Sequence, residues 1–139
     1  MSFLLDTNAL SALVGDRPEP HFARWWDSVA EDDLFVSVLS IGEIQRGLAR
    51  LAPGRRRRGL AEATDRLVAE YADRVLPIDE DIARRWGDLS ARYRASGIVV
   101  GVVDELIAAT ALTANLVLVT RNVRHFDHAG CALLNPWPS

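Results

Sequence analysis

Polar residues that could do chemistry together stand at four places in this sequence. Asp6 directly follows a short apolar run, Glu43 and Asp104 fall at the expected starts of two helices, and a polar segment at residues 120–122 follows another apolar run. Three carboxylates held close together repel one another, so without a cation at least one of them would hold its proton more tightly. A hard divalent cation removes this conflict, and ligands that are all oxygen favour magnesium or manganese over zinc.

Each of these acids also has a purely structural interpretation. Asp6 could be the N-cap of a helix that begins near Asn8. Glu43 follows Ser40 by three residues, which is the spacing of a capping box, and Asp104 could be a favourable charge at a helix N-terminus. Only the joint pattern favours a shared site.

The elements that must position these residues follow from the hydrophobic pattern, in which short apolar runs predict strands and a 3.6-residue period predicts helices. Strands are predicted at residues 3–5, 34–38, 75–78, 116–119 and 132–134, and helices at residues 8–14, 20–30, 41–51, 57–72, 79–96 and 104–114. The third strand is expected at a sheet edge, because Pro77 cannot donate to an interior ladder. Alternating strands and helices predict a three-layer α/β domain with a parallel sheet.

A parallel sheet would bring the polar positions together. All of them fall at strand ends or helix starts, and ligands of such folds bind beyond the carboxyl ends of the strands, near the switch point of strand order. We therefore expect Asp6, Glu43, Asp104 and residues 120–122 to lie at one rim.

The composition limits the class of protein. A chain of 139 residues predicts one domain, and its 16 basic residues are all arginine, which excludes lysine-dependent sites such as the Walker phosphate loop and Schiff-base enzymes. The net charge of −3 argues against a generally basic nucleic-acid-binding surface. Four arginines stand in one run, which is either a solvated helix start or a contact for RNA or an acidic partner: Arg55, Arg56, Arg57 and Arg58.

The remaining chemically active residue types give weak signals. Cys131 is the one cysteine, so no intrachain disulfide and no cysteine-based zinc site is expected. We interpret it as a core residue, and the pair Trp25-Trp26 as packing. His125 and His128 are expected near the rim, but without metal-ligand spacing. The N-terminus has neither a basic segment nor a long apolar stretch, so a cytoplasmic protein without a signal peptide or membrane span is expected.

Four motifs in order resemble one known family. They are Leu5-Asp6-Thr7-Asn8, Ser40-Ile41-Gly42-Glu43-Ile44, the segment DELIAATA from Asp104, and Val119-Thr120-Arg121-Asn122. Together with the terminal Asn135-Pro136-Trp137, they resemble the PIN-domain toxins, the VapC/FitB-like ribonucleases of type II toxin–antitoxin pairs.

The resemblance implies an α/β/α sandwich around a five-stranded parallel sheet, and cleavage of RNA that depends on Mg²⁺ or Mn²⁺. It implies that Asp6, Glu43 and Asp104 are the metal-site acids. Many family members have a fourth acid where this sequence has Asn122, whose amide oxygen is a neutral and weaker ligand. Asp127 is an alternative source of that acid.

Neighbouring residues receive supporting roles by the same resemblance. Thr7, Thr120 and Arg121 are expected to hydrogen-bond the acids or a phosphate. Asn8 is expected to brace the turn at Asp6. The arginine run at residues 55–58 is expected beside the rim, where it would contact RNA or the partner protein.

The resemblance also implies partners. One is an RNA substrate, which in this family is a tRNA or rRNA loop. Another is a cognate antitoxin, which would lie in a groove bordered by a helical hairpin at residues 41–71. The third is a second copy of the chain, which would bind through an apolar surface on the Asp104 helix or at Trp137. DNA binding would belong to the antitoxin.

Two other functions remain open. A haloacid-dehalogenase-type phosphatase also has an acid after its first strand, but it needs a second acid at the position of Asn8 and a lysine. A non-catalytic binding module would use the acidic rim only to dock a partner, and the amide at Asn122 favours that alternative.

Overall fold

The computed structural model describes residues 1–15 and 17–138. Strands and helices alternate along most of the chain. The elements are β1 Phe3–Leu5, α1 Thr7–Val14, α2 Pro20–Ser28, β2 Leu34–Ser37, α3 Val38–Arg50, α4 Arg55–Glu70, β3 Val75–Leu76, α5 Glu80–Ala95, α6 Val102–Ala114, β4 Val117–Val119, α7 Val123–Phe126 and β5 Leu133–Leu134. Two short 3-10 helices, Glu31–Asp33 and Ala72–Arg74, precede β2 and β3.

The five strands form one parallel sheet in the order β3-β2-β1-β4-β5. Leu5 at the end of β1 is in register with Val36 of β2 and Val119 of β4. From β1 the chain builds outward through β2 to β3, then returns to the other side of β1 to place β4 and β5. The boundary between β1 and β4 is therefore the switch point of the sheet, and β3 is at an edge, as Pro77 predicts.

Alternate residues of the strands enter two separate cores, one on each face of the sheet. Leu5 and Val119 belong to the core formed with α1, α2, α3 and α4, whereas Leu4 and Leu118 belong to the core formed with α5 and α6. The predicted three-layer α/β/α fold is confirmed.

Aromatic packing fixes α2 against the sheet. Trp25 lies edge-on to Phe3, with ring centroids 5.4 Å apart, and Trp26 stacks on Phe22 at 6.3 Å. Trp137 also stacks on Phe22, with ring centroids 4.7 Å apart, and is only 8% exposed. The packing interpretation of Trp25 and Trp26 is confirmed, but the expectation of a dimer surface at Trp137 is wrong, because this ring is already buried in the core.

Several element boundaries differ from the prediction. Helix α3 begins at Val38 rather than residue 41, because Ser37 is the N-cap and its Oγ accepts from the Leu39 N–H at 3.1 Å. Helix α6 begins at Val102, two residues before Asp104, after a glycine cap without a side-chain hydrogen bond. Helix α4 begins at Arg55, so the arginine run forms its first turn. Helix α7 has four residues and was absent from the prediction.

Two further expectations concern the core and the membrane. Cys131 packs against the α5–α6 core, as predicted, and burial raises the pKa of its thiol. None of the helices that the structure describes is both long and apolar enough to cross a membrane.

Candidate active site

Asp6 lies at the end of the central strand β1 and caps helix α1. Its Oδ1 accepts a hydrogen bond from the Ala9 N–H at 2.8 Å, and its own N–H donates to the Val119 carbonyl of β4 at 3.0 Å. The residue is only 5% exposed. The capping interpretation is therefore correct, and it does not exclude the chemical one, because the capped carboxylate stands at the switch point between β1 and β4.

The environment of Asp6 disfavours its charge. Burial is the largest cause that raises the pKa of this carboxyl, and repulsion from Asp104 raises it further. The Thr120 side chain and the N–H groups of Ala9 and Asn8 act in the opposite direction. A cation beside Asp6 would act in the same direction as these donors and favour its ionised form.

Glu43 is held by a hydroxyl from the neighbouring helix. The Thr7 hydroxyl donates to Glu43 Oε1, and Ser40 Oγ lies 3.2 Å from Thr7 Oγ1. The Glu43 Oε2 oxygen lies 3.6 Å from Arg46 Nη2 on the same helix. The predicted capping box between Ser40 and Glu43 is therefore wrong: Ser40 lies fully buried inside α3, and Glu43 binds Thr7, the residue after Asp6.

Asp104 stands in the first turn of α6, where a carboxylate is favoured. Its Oδ2 lies 3.1 Å from Nδ1 of His125 on α7. The sequence predicts that His125 lies near the rim, but it indicates no role for this residue there. The only available signal was its position three residues after Asn122, and that spacing becomes informative only once α7 is known to be helical.

The segment after β4 divides into buried and exposed parts. Thr120 is fully buried, and its Oγ1 accepts from the Asn122 N–H at 3.0 Å. Arg121 and Asn122 are exposed. Thr120 thus supports Asp6, whereas the next two side chains are accessible to a ligand.

Asn8, predicted to brace the turn at Asp6, and Asp127, predicted as an alternative fourth acid, both have exposed side chains. The Asn8 side chain is exposed, so it is the Asn8 backbone N–H rather than its amide that acts on Asp6. Asp127 is exposed at the end of α7. No contact in the described residues joins Asp127 to the acids.

The arginine run lies at the turn between α3 and α4. Arg57 Nη1 donates to the Leu51 carbonyl at 3.4 Å, while the other three side chains are exposed. Glu43 and Arg50 on α3 are separated by about 10 Å along the helix axis, and the run follows beyond Arg50. The structure describes no contact between the run and the acids, so its position beside the rim stays a prediction.

The residues at the rim fit a hard divalent cation. Within residues 1–15 and 17–138, no three His, Cys, Asp or Glu side chains are gathered tightly enough to enclose a metal by themselves. Magnesium does not require such a cage, because it keeps several waters and is commonly held by one or two carboxylates together with substrate phosphates. Asp6 and Asp104 are the candidates for such a pair, and Thr7, the residue after Asp6, hydrogen-bonds the third acid, Glu43.

Comparison with known proteins agrees with the fold. A family model described as the PIN domain matches residues 3–130. VapC ribonuclease Y4jK of Sinorhizobium fredii is 35% identical over 135 residues, covering 96% of both chains. Toxin FitB of Neisseria gonorrhoeae is 31% identical, covering 96% of this chain and 97% of FitB. The crystal structure of FitAcB from Neisseria gonorrhoeae matches with a TM-score of 0.89 at 31% identity, covering 97% of this chain and 98% of that chain. With its central parallel sheet and its match to the PIN-domain model over most of its length, the chain belongs to the PIN-domain family, in which VapC and FitB toxins are its relatives.

Proposed function

We propose that this protein is a divalent-metal-dependent endoribonuclease and that it acts as the toxin of a type II toxin–antitoxin pair. The observation that carries the proposal is the buried carboxyl of Asp6 at the switch point of a PIN-domain sheet, where the charge of Asp104 helps to raise its pKa. Relatives named as a ribonuclease and as a toxin support the reaction and the biological role. The match to the PIN-domain model leaves the phosphatase alternative without support.

The residues of the rim have separate roles in phosphodiester hydrolysis. Asp6, Asp104 and Glu43 are the proposed ligands of Mg²⁺ or Mn²⁺. A bound divalent cation supplies a coordinated water of lowered pKa and offsets negative charge on the phosphate. Thr7 keeps the Glu43 carboxylate in place, and Thr120 does the same for Asp6.

Asn122 is the fourth residue of the proposed catalytic group. Its side chain is exposed two residues after Thr120. It offers a neutral amide oxygen where many members of the family have an acid and some have asparagine. A neutral ligand attracts a second cation less strongly than a carboxylate does. If the site binds a metal but does not cut RNA, this substitution favours the non-catalytic alternative.

RNA and antitoxin are the proposed macromolecular partners. Because the chain has no lysine, arginine and bound metal are the full positive charges that can meet a phosphate backbone. Arg121 is exposed directly after Thr120 in the sequence, and three of the four arginines in the first turn of α4 are exposed. Unstacked loops of tRNA or rRNA are the proposed substrate, since a shallow rim admits single strands. The antitoxin is proposed to cover the rim along α3 and α4.

A homodimer is part of the same proposal. Val99 and Val102, in and after the connection from α5 to α6, are 97% and 57% exposed. Large aliphatic side chains this exposed favour an interface when they border an apolar depression. They border a cavity of about 790 Å³, whose other lining residues include Trp86, Ile98 and Val100. Because Asp104 follows Val102 on α6, a second copy docked here would lie near the acidic rim.

The test is cleavage of total RNA with Mn²⁺, using the wild-type protein and the variants Asp6→Ala and Asp104→Ala, with the cleavage ends mapped. The proposal expects defined ends for the wild type and their loss in both variants. Asp88→Ala, which removes an exposed acid on α5, is the matched control and should cut like the wild type. Unchanged cleavage by the Asp6 and Asp104 variants, or no cleavage by the wild type with any divalent metal, would overturn the catalytic assignment.

A further inference from the structure

His125 is bound to one of the proposed metal ligands. Its Nδ1 lies 3.1 Å from Asp104 Oδ2, joining residues 21 positions apart in the sequence. A carboxylate can only accept a hydrogen bond, so the imidazole must donate through Nδ1–H. The two side chains are 57% and 32% exposed. Exposed pairs of this kind add little to stability, so stability alone is a weak explanation of the contact.

Each of the three acids faces a side-chain donor that comes from another part of the chain. Thr120 acts on Asp6, and Thr7 donates to Glu43. Asp104 has neither of these donors, and the cap of its own helix, Gly101, has no side chain to offer. Within the part of the chain that the structure describes, His125 is the one side chain that hydrogen-bonds Asp104.

We propose that His125 is a positioning residue for Asp104. By holding Oδ2 it fixes the plane of the carboxylate and leaves Oδ1 free for the cation. The inference rests on the proposed function, because it assumes that Asp104 is a metal ligand. In this arrangement the Nδ1 of His125 is engaged by the carboxylate, so this nitrogen is not available to a metal ion.

Replacing His125 by asparagine or by glutamine tests whether the hydrogen bond to Asp104, rather than the ring as such, is required. His125→Asn places an amide nitrogen close to the position of Nδ1 and can keep the hydrogen bond, whereas His125→Gln places it near Nε2, and His125→Ala removes it. His128→Ala is the matched control, because His128 is also exposed and follows three residues later. Mn²⁺ affinity is measured for each protein by electron paramagnetic resonance of the free ion, and thermal unfolding checks that each variant is folded.

Removing an outer hydrogen-bond partner of a metal ligand costs roughly 10- to 100-fold in metal affinity. We therefore expect His125→Ala and His125→Gln to bind Mn²⁺ about 10-fold more weakly or worse. His125→Asn should stay within about threefold of the wild type, and His128→Ala should be unchanged. In RNA cleavage, kcat at limiting metal should fall in the same order, without a change in KM for RNA.

Other outcomes would overturn the inference about His125, the proposed function, or both. Equal Mn²⁺ affinity in the wild type, His125→Ala and His125→Gln overturns the inference, and so does a raised KM with unchanged metal affinity, which would make His125 an RNA contact. Mn²⁺ binding that Asp104→Ala abolishes, without any RNA cleavage, would remove the ribonuclease proposal while the order of affinities still supports His125. A wild-type protein that binds no Mn²⁺ overturns both.

Discussion

The Thr7 hydroxyl donates a hydrogen bond to the Glu43 carboxylate, and so ties α1, which Asp6 caps, to α3, which carries the second acid. Thr7→Val keeps the shape of the side chain but removes this donor, so Glu43 loses its fixed position. We expect kcat for RNA cleavage to fall by about 10- to 100-fold, with the fold intact by circular dichroism. Thr7→Ser restores the hydroxyl and should recover most of the activity. Full activity in Thr7→Val would show that the bond is not needed for catalysis.

The buried carboxyl of Asp6 predicts a dependence of stability on pH. Its pKa is raised in the folded protein, so the folded state holds the proton more tightly than the unfolded chain does. The stability contributed by this group is therefore present at low pH and lost as the pH rises through the raised pKa. Asp6→Asn carries no charge and keeps the helix cap, so at pH 7 without metal it should have a higher Tm than the wild type.

Differential scanning calorimetry in EDTA measures this difference across the pH range. The higher Tm of Asp6→Asn relative to the wild type should disappear as the pH falls to 3.8, the ordinary pKa of an aspartate. Asp6→Ala is the control, because it removes both the charge and the cap, and loss of the cap costs about 1 kcal/mol, or about 4 °C in a chain of this size. A Tm for Asp6→Asn at pH 7 that is no higher than that of the wild type would contradict the prediction.

The exposed valines between α5 and α6 predict the oligomeric state. Val99→Asp places a charge where the proposed interface is apolar, so it should convert a dimer of two 15.3 kDa chains into a monomer. Size-exclusion chromatography with light scattering measures the mass. Ala69→Asp, at an exposed position on α4, should remain dimeric. A monomeric wild type, or a variant at Val99 that stays dimeric, rejects this surface as the interface.

Arg121 predicts a salt-dependent contact with RNA. Each phosphate contact that is lost lowers the slope of log affinity against log salt concentration by about 1. Arg121→Ala should therefore bind RNA more weakly, with a shallower slope, while its Mn²⁺ affinity stays at the wild-type value. Fluorescence anisotropy with a labelled RNA, read in Ca²⁺ to limit cleavage, gives the RNA affinity and its dependence on salt concentration. Arg84→Ala is the control, since Arg84 is paired with Glu80 on α5.

Much of the fold follows from patterns that are local in the sequence. The run Phe3–Leu5 and its counterpart at β4 predict strands, and the rule for strand ends brings Asp6 and Thr120 to one rim. The start of α3 could not be predicted, because Ser37 and Ser40 are both good caps and the choice depends on where β2 leaves the sheet. Helix α7 is too short to show a period.

The contacts within the site are less predictable than its location. The pairing of Thr7 with Glu43 depends on the rotation of α3 about its axis, and the contact of His125 with Asp104 depends on a four-residue helix. Trp137 shows the same limit in the core: an aromatic residue near the end of the sequence is compatible with an exposed surface, and only tertiary packing against Phe22 shows that it is buried.

The order of strands in the sheet also determines when during synthesis the site can exist. The amide of Asp6 bonds to Val119, and the pairing of β1 with β4 joins the first strand of the chain to the fourth. A nascent chain that has reached only α5 has β1, β2 and β3 but neither Asp104 nor the strand that closes the switch point. The acids that we propose to bind the metal therefore cannot come together until most of this sequence has been synthesised.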